Sequence, residues 1–330
     1  MAILANEKVL TLDYWKPARK LEVGDYVFDK DGKLVRIKLV QEYRSENCYE
    51  VVFNDHLRVS GDTKLGFPVE TPVCRIKSCQ YKGVRKLKRQ MRKKKVDDLI
   101  TAQLKDNRGR LLYSVPTAKP LELPHQDLPI PPFLFGFWFF NQRANKTMAA
   151  PRGWTEKIQE KFRDHGYKVT FGRKINTGER EFSVFPTFES QLVPFIPSKI
   201  PNNYLLASAE QRFELLKGIL HAKSRQYSKV KDRFRISSYN YGTIQQIQAL
   251  VESLGHRTKV EHDKTLNNYT LFFKSRIKLV DNQVSPPLKV YNARRYVTQV
   301  NHIPGQMCVH IETTGQDNTI LVGEGFISCL

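Results

Sequence analysis

Over the first sixty residues the hydrophobic positions come in short runs separated by turn signals. Residues 21–28 meet a turn at Asp29-Lys-Asp-Gly32, residues 34–40 follow, and residues 49–53 are closed by Asn54-Asp55. Asp-Gly and Asn-Asp between β-branched runs predict hairpins, so this part reads as all-β. Near the other end, residues 308–311 and 319–322 flank a polar stretch, 313–318, in a further hairpin pattern.

Between residues 128 and 285 the pattern changes and repeats weakly. Each half opens with an apolar stretch carrying a glycine: residues 133–140 with Gly136, and residues 213–220 with Gly218. Each half later shows a helical pattern ending in glycine and then a strand. These are 154–165, Gly166 and 167–171 in the first half, and 241–254, Gly255 and 256–260 in the second. Glycine just past a helix is the expected left-handed cap. Small residues let the two apolar helices approach closely. The pattern predicts two similar halves, 128–205 and 206–285, about a pseudo-twofold axis; two ordinary core helices are the alternative. Residues 114–127 are Pro-rich and polar and read as a linker.

Residues 229–236 alternate with period two. Lys229, Lys231, Arg233 and Arg235 fall on one face of the expected strand, and Val230, Asp232, Phe234 and Ile236 on the other. Four like charges on one sheet face repel each other unless an anion lies against them, and a phosphate backbone is the natural occupant.

Charge reinforces this reading. Lys plus Arg number 54 against 33 Asp plus Glu, a formal net charge of +21 that attracts polyanions. From Arg75 to Lys95 no acidic residue occurs, and apolar Tyr81, Val84, Leu87 and Met91 are interleaved with the cations. A solvated face is the alternative for such a run; the interleaving favours docking on nucleic acid. The five cysteines do not form a disulfide framework, and Cys74 and Cys79 lack the second pair a zinc site needs, so all five are expected as free thiols. No apolar run reaches the roughly 20 residues of a membrane span, and residues 1–10 lack a signal-peptide pattern, so an intracellular location is expected, in cytoplasm or nucleus.

Taken together, these pieces resemble an intein with an inserted homing endonuclease of the LAGLIDADG class. Residues 9–17 and 21–28 are similar to the opening strands of a Hint (hedgehog/intein) fold, and 308–311 and 318–327 to its closing strands. Residues 134–139 and 215–220 fit the two LAGLIDADG helices. The resemblance implies an α+β chain: a discontinuous all-β Hint horseshoe plus a pseudo-twofold α/β LAGLIDADG endonuclease-like domain. The Hint parts would be 1–113 and 286–330, with a DNA-recognition insert at about 66–100, and the endonuclease-like domain 128–285. An internal pseudo-twofold implies a monomer.

The family's chemistry is missing from the positions that match it. Metal-dependent phosphodiester hydrolysis needs carboxylate oxygens at the ends of both glycine helices. Asn141 and Lys223 stand there, and no Asp or Glu occurs in 133–151 or 217–230. Protein splicing needs a nucleophile at the first position. Ala2 matches it, Thr63 replaces the histidine of the Thr-x-x-His motif, and the chain closes on Ser328-Cys329-Leu330 instead of His-Asn. Cys308 and Cys329 remain as nucleophiles by residue type; buried or incidental thiols are the favoured reading.

The expected partner is duplex DNA, with RNA or a protein complex as alternatives. The contact residues are Arg85, Lys86, Lys88, Arg89, Arg92, Lys93, Lys94 and Lys95, and Lys229, Lys231, Arg233 and Arg235. Arg173, Lys174 and Arg180 are the first-half counterparts. No cofactor is expected unless residual nuclease activity with magnesium survives through a displaced acid such as Asp232 or Glu156. A non-enzymatic interaction subunit of a nucleic-acid machine is the remaining alternative.

Overall fold

The structure is a computed structural model. It describes residues 1–12, 15–72, 91–141, 147–150, 155–174, 180–191, 199–222, 233–275, 279 and 294–330, with backbone only at Ala150, Arg173 and Glu189. Arg85, Lys86, Lys88, Arg89, Lys223, Lys229, Lys231, Asp232, Cys74 and Cys79 lie outside the described residues, as does the Arg173 side chain.

Two compact units form. The first comprises Met1–Glu122, Gly255–Arg257 and Pro287–Leu330; the second comprises Leu123–Leu254 and Thr258–Pro286. The N-terminal part of the first unit holds β1 (Ala2–Leu4), β2 (Lys8–Leu10), β3 (Trp15–Pro17), β4 (Tyr26–Phe28), β5 (Leu34–Ser45), β6 (Cys48–Phe53), β7 (Arg58–Asp62), β8 (Gly66–Val69) and β9 (Arg92–Lys95). A short helix, α1 (Val96–Ile100), and β10 (Ser114–Pro116) follow. The second unit runs α2 (Pro132–Asn141), β11 (Met148–Ala150), α3 (Thr155–Asp164), β12 (Lys168–Lys174), β13 (Arg180–Phe185), α4 (Asn202–Leu205), α5 (Ala209–Ala222), β14 (Arg233–Ser238), α6 (Tyr241–Ser253), β15 (Thr258–Asp263) and β16 (Asn268–Lys274). The chain then returns through β17 (Arg294–Ile303), β18 (Gln306–Thr313), β19 (Ile320–Val322) and β20 (Ile327–Cys329).

In the first unit, one sheet has the order β10-β17-β6-β7-β1-β18-β5-β4 and a second the order β20-β19-β2-β3. Distant chain segments interleave: β18 lies between β1 and β5, and β17 pairs with β6. The Asp29–Gly32 turn joins paired β4 and β5, with Gly32 at φ 79°, and the Asn54-Asp55 turn joins paired β6 and β7, with His56 at φ 67°. The core is built from the inward positions of these strands, including Val9, Val27, Val59 and Val309, with Phe53 and Phe67 packed edge to face.

Two expectations change here. The hairpin expected around residues 313–318 does not form: β18 pairs with β1 and β5, whereas β19 pairs with β2 and β20. The Asn318 side chain accepts the Thr313 N–H at 2.7 Å, folding the loop on itself so that the strands enter different sheets. Part of the Pro-rich stretch read as a linker is structure instead. Ser114–Pro116 pairs with β17, and Leu121 and Leu123 are buried. Pro116 is tolerated because β10 ends the sheet order, where a missing donor on the outer edge costs nothing.

The second unit repeats its architecture. Each half runs helix, strand, helix, strand, strand, and the sheets have equivalent orders, β11-β13-β12 and β14-β16-β15. The glycine helices α2 and α5 meet backbone to backbone. A Cβ added at Gly136 would lie 2.3 Å from the Leu215 carbonyl oxygen, and one at Gly218 would lie 2.1 Å from that of Phe133. No larger residue fits there. Gly166 (φ 80°) and Gly255 (φ 81°) take the left-handed conformation expected past their helices. The core gathers Phe135, Phe137, Phe162, Phe182 and Phe188 from the first half and Ile244, Ile247, Leu271 and Phe273 from the second.

One buried cation braces this unit. Arg212 of α5 is fully buried and donates to the Ala207 carbonyl at 2.8 Å, to the Ser253 carbonyl at 3.0 Å and to the Ser253 hydroxyl at 2.5 Å. Burial pulls its guanidinium down to about 10, still charged at neutral pH. It satisfies a carbonyl at the C-terminal end of α6, where cations are favoured.

Candidate nucleic-acid interface

The sheet β14-β16-β15 presents a cationic outer face because its strands alternate. Arg233 and Arg235 are exposed while Phe234 and Ile236 are buried, so the side chains point as the sequence alternation predicts. Antiparallel register extends the face. Arg233 is opposite Lys274, and Arg235 is opposite Phe272, which is in turn opposite Lys259. Directly opposed residues share a face, so Arg233, Arg235, Lys259 and Lys274 surround Phe272 there. The next row carries Ser237, Thr270 and Glu261, and the Ser237 and Thr270 hydroxyls are 2.9 Å apart. The face is therefore graded, cationic toward Arg233 and Lys274 and acidic toward Glu261 and Asp263. Lys259 pairs with Glu261 at 2.6 Å, which tempers its charge.

Beneath that face, Phe234 stacks on Phe273 with ring centroids 5.2 Å apart. Core packing thus holds the strand that displays the arginines. Lys259 and Lys274 escaped the sequence reading. Their signal was period-two alternation in residues 258–263 and 268–274, weaker because each strand carries a single lysine.

Among the described residues of the first half, the cations sit differently. By order in the sheet, the strand equivalent to β14 is β11, which carries no cation. Lys174 and Arg180 instead sit opposite each other at the end of the β12–β13 pair. Lys174 is exposed. The Arg180 guanidinium lies 4.9 Å from the Phe171 ring centroid and donates to the Gly172 carbonyl at 3.4 Å, capping an aromatic ring.

Within the basic run, Arg92–Lys95 forms β9 and pairs with β8 from Val69↔Arg92 to Gly66↔Lys95. β8 is wholly buried, while Arg92, Lys93 and Lys95 are exposed. Lys93 donates to the Asp317 carbonyl at 3.4 Å, Lys94 lies 3.9 Å from Asp98, and the Lys95 N–H donates to the Asp98 carboxylate at 2.9 Å at the start of α1. The outer ends of the expected insert, 66–69 and 92–100, therefore belong to the all-β unit: Phe67, Val69, Val96 and Leu99 are in its core.

At the end of α2, Asn141 forms a structural clamp. The Asn141 amide nitrogen donates to the Ala149 carbonyl at 2.8 Å, and its carbonyl oxygen accepts the Ala149 N–H at 3.1 Å. The side chain pairs with β11 as another strand would. Glu156, the described candidate for a displaced acid, is exposed in the first turn of α3. Among the described residues no three His, Cys, Asp or Glu side chains are grouped to hold a metal ion.

Ala2 and Gly61 are neighbours in the first unit. Ala2 is fully buried and paired with His310, and Ile3 is paired with Gly61. A Cβ at Gly61 would lie 2.3 Å from the Ala2 carbonyl oxygen, so Gly61 packs against that peptide. Leu330 brackets Gly66 with hydrogen bonds of 3.1 and 2.8 Å. Thr63 has no imidazole to offer. Burial, with the Cys48 sulfur adding to it, pushes the Cys308 thiol up to about 12, and burial pushes the Cys329 thiol well above its ordinary value. Neither is a ready thiolate at neutral pH.

No family model matches the chain. It is 24% identical over 284 residues to the replicative DNA helicase DnaB of Mycobacterium intracellulare, a match covering 80% of this chain and 46% of that protein. The chain thus spans about half the length of the curated relative it matches. Among solved structures, the MchDnaB-1 intein is 25% identical over 21% of this chain and 53% of its own, with a TM-score of 0.20. The homing endonuclease I-DmoI in complex with DNA and Mn is 16% identical over 48% of this chain and 98% of its own, with a TM-score of 0.35. The interleaved β unit and the two-halved α/β unit follow the layout that the sequence resemblance implies. In its two parts the chain is similar to an intein carrying a homing endonuclease of the LAGLIDADG type.

Proposed function

We propose that this chain is a duplex-DNA-binding protein derived from an intein-type homing endonuclease, with nuclease and splicing activities lost. The observation that carries the reading is the outer face of β14-β16-β15, where four cations surround Phe272 above a packed aromatic core. Such a face neutralises phosphates and releases their condensed counterions. Loss of cleavage rests on Asn141, whose amide is committed to Ala149, and loss of splicing on Ala2 and Thr63.

Binding to duplex DNA is measured across a salt series. The logarithm of the affinity should fall with log salt by about 0.9 per phosphate contacted. Arg233→Ala with Arg235→Ala should flatten that slope by about one unit per lost contact while leaving the fold intact. Phe234→Ala, by contrast, should destabilise the second unit by about 3–5 kcal/mol. An unchanged affinity and slope in the double variant would overturn the assignment of this face. Supercoiled plasmid incubated with magnesium or manganese should remain uncut; metal-dependent nicking lost on Glu156→Ala or Asp232→Ala would identify a displaced acid instead.

A further inference from the structure

Cys48 and Cys308 are 260 positions apart in sequence, yet their sulfur atoms are 3.8 Å apart. Cys48 opens β6, directly after the exposed turn residues Glu46 and Asn47, and its thiol donates to the Ser45 carbonyl at 3.3 Å. Cys308 lies in β18, opposite Tyr43 of β5 on one side and Leu4 of β1 on the other. Both thiols are fully buried. Asp62 is opposite Cys48 across β6–β7, and the Tyr43 hydroxyl donates to its carboxylate. The two sulfurs are thus held face to face by four strands, β1, β5, β6 and β18, with Asp62 of β7 alongside. One belongs to the N-terminal part of the first unit and the other to its C-terminal part.

We infer that Cys48 and Cys308 are a redox-modification site that closes a reversible disulfide across the interleaved sheet, with a low-molecular-weight disulfide as the oxidant. Because both thiols are buried, the reaction requires local opening of the exposed turn at Glu46 and Asn47, which brings Cys48 to the reagent first. Its thiolate attacks one reagent sulfur, forms a mixed disulfide and releases one small thiol. The Cys308 thiol then loses its proton, and its thiolate attacks the Cys48 sulfur, closing the protein bond and releasing the second small thiol. Two protein thiols are oxidised by two electrons, and the reagent is reduced to two thiols that carry away the two protons. The second step needs the Cys308 thiolate, so it is slow at neutral pH and faster as pH rises. The bond closes a loop that contains the second unit, and a long loop is where a cross-link most restricts the unfolded chain.

The full chain is incubated with oxidised glutathione at mildly alkaline pH, free thiols are then alkylated, and peptides are mapped without reduction. A Cys48–Cys308 linked peptide is expected, with both thiols lost to alkylation and both regained after dithiothreitol. Cys48→Ala and Cys308→Ala should each abolish the link, and Cys329→Ala should retain it. After limited proteolysis between the two cysteines, their fragments should stay joined on a non-reducing gel. Mapping of the unsubstituted chain decides the matter even if a variant fails to fold. Alkylation of both thiols in the treated protein, a glutathione adduct on Cys48 that never resolves, or linkage of Cys48 or Cys308 to Cys74, Cys79 or Cys329 would overturn the inference.

Discussion

Asn141 shows how one side-chain amide occupies a position that the LAGLIDADG resemblance would give to an acid. Its donor and its acceptor both engage the peptide of Ala149, at 2.8 and 3.1 Å. An ionised aspartate there would still accept the Ala149 N–H, but its other oxygen would face the Ala149 carbonyl with no proton between them. A protonated aspartate reproduces both bonds. In the Asn141→Asp variant the folded-state pKa of the introduced carboxyl should therefore rise above the ordinary carboxylate value. A raised carboxylate leaves stability intact below its unfolded pKa and loses it as pH rises through the folded one. Urea unfolding of Asn141→Asp should match the unsubstituted protein in acid and fall short by about 1–3 kcal/mol at neutral pH. A deficit independent of pH would mean that ionisation of the carboxyl does not cause the loss, and no deficit at any pH that the clamp contributes nothing. Restoring an acid here therefore does not simply rebuild a metal ligand.

Among the elements, the crossing of α2 and α5 sets the second unit. Alanine normally improves a helix over glycine by about 1 kcal/mol. Here the sign should invert, because the added methyl meets backbone oxygen at 2.3 Å from Gly136 and 2.1 Å from Gly218, and backbone cannot rotate aside. Gly136→Ala and Gly218→Ala should each destabilise the unit by about 3 kcal/mol, near the top of the overpacking range. Denaturant midpoints test this, and a stabilised variant would refute the close crossing. β14 is governed by a different constraint: its arginines can be replaced without loss of the strand, which is held by Phe234 and Ile236 on its other side.

At the scale of the whole molecule, the described residues form two hydrophobic cores, one in each unit. Glu7 lies in the first unit, where its carboxylate accepts the Ser60 N–H at 2.8 Å. Burial raises its pKa above the ordinary 4.5, and the bond from Ser60 only partly opposes this. Its contribution is complete below the unfolded pKa and is lost as pH rises through the raised one. Glu7→Gln keeps the acceptor and removes the charge. The variant should match the unsubstituted protein in acid and become the more stable as pH rises. Calorimetry should show the gain in the transition of the first unit alone, while added duplex DNA raises that of the second. A gain that does not grow with pH would show that the buried charge is relieved elsewhere.

Local periodicity and residue chemistry encode part of this molecule before any segment finds its partner. Alternation at 233–236 tells which side chains face solvent, because a strand's period of two is independent of its neighbours. Glycines 136, 218, 166 and 255 mark the helix crossing and the helix ends, because only a missing side chain permits that approach and glycine takes that backbone angle at the least cost. The absence of acids at 141 and 223 and of a nucleophile at Ala2 is legible without any fold. Which distant segments meet is settled only when the chain closes on itself. Strand β17, the division of β18 and β19 between sheets, and the contact of Cys48 with Cys308 all join residues from opposite ends of the chain. The burial of Arg212 and the commitment of Asn141 to Ala149 also depend on the folded surroundings. Periodicity records which way a side chain points; what it meets there depends on segments brought together only when the core closes.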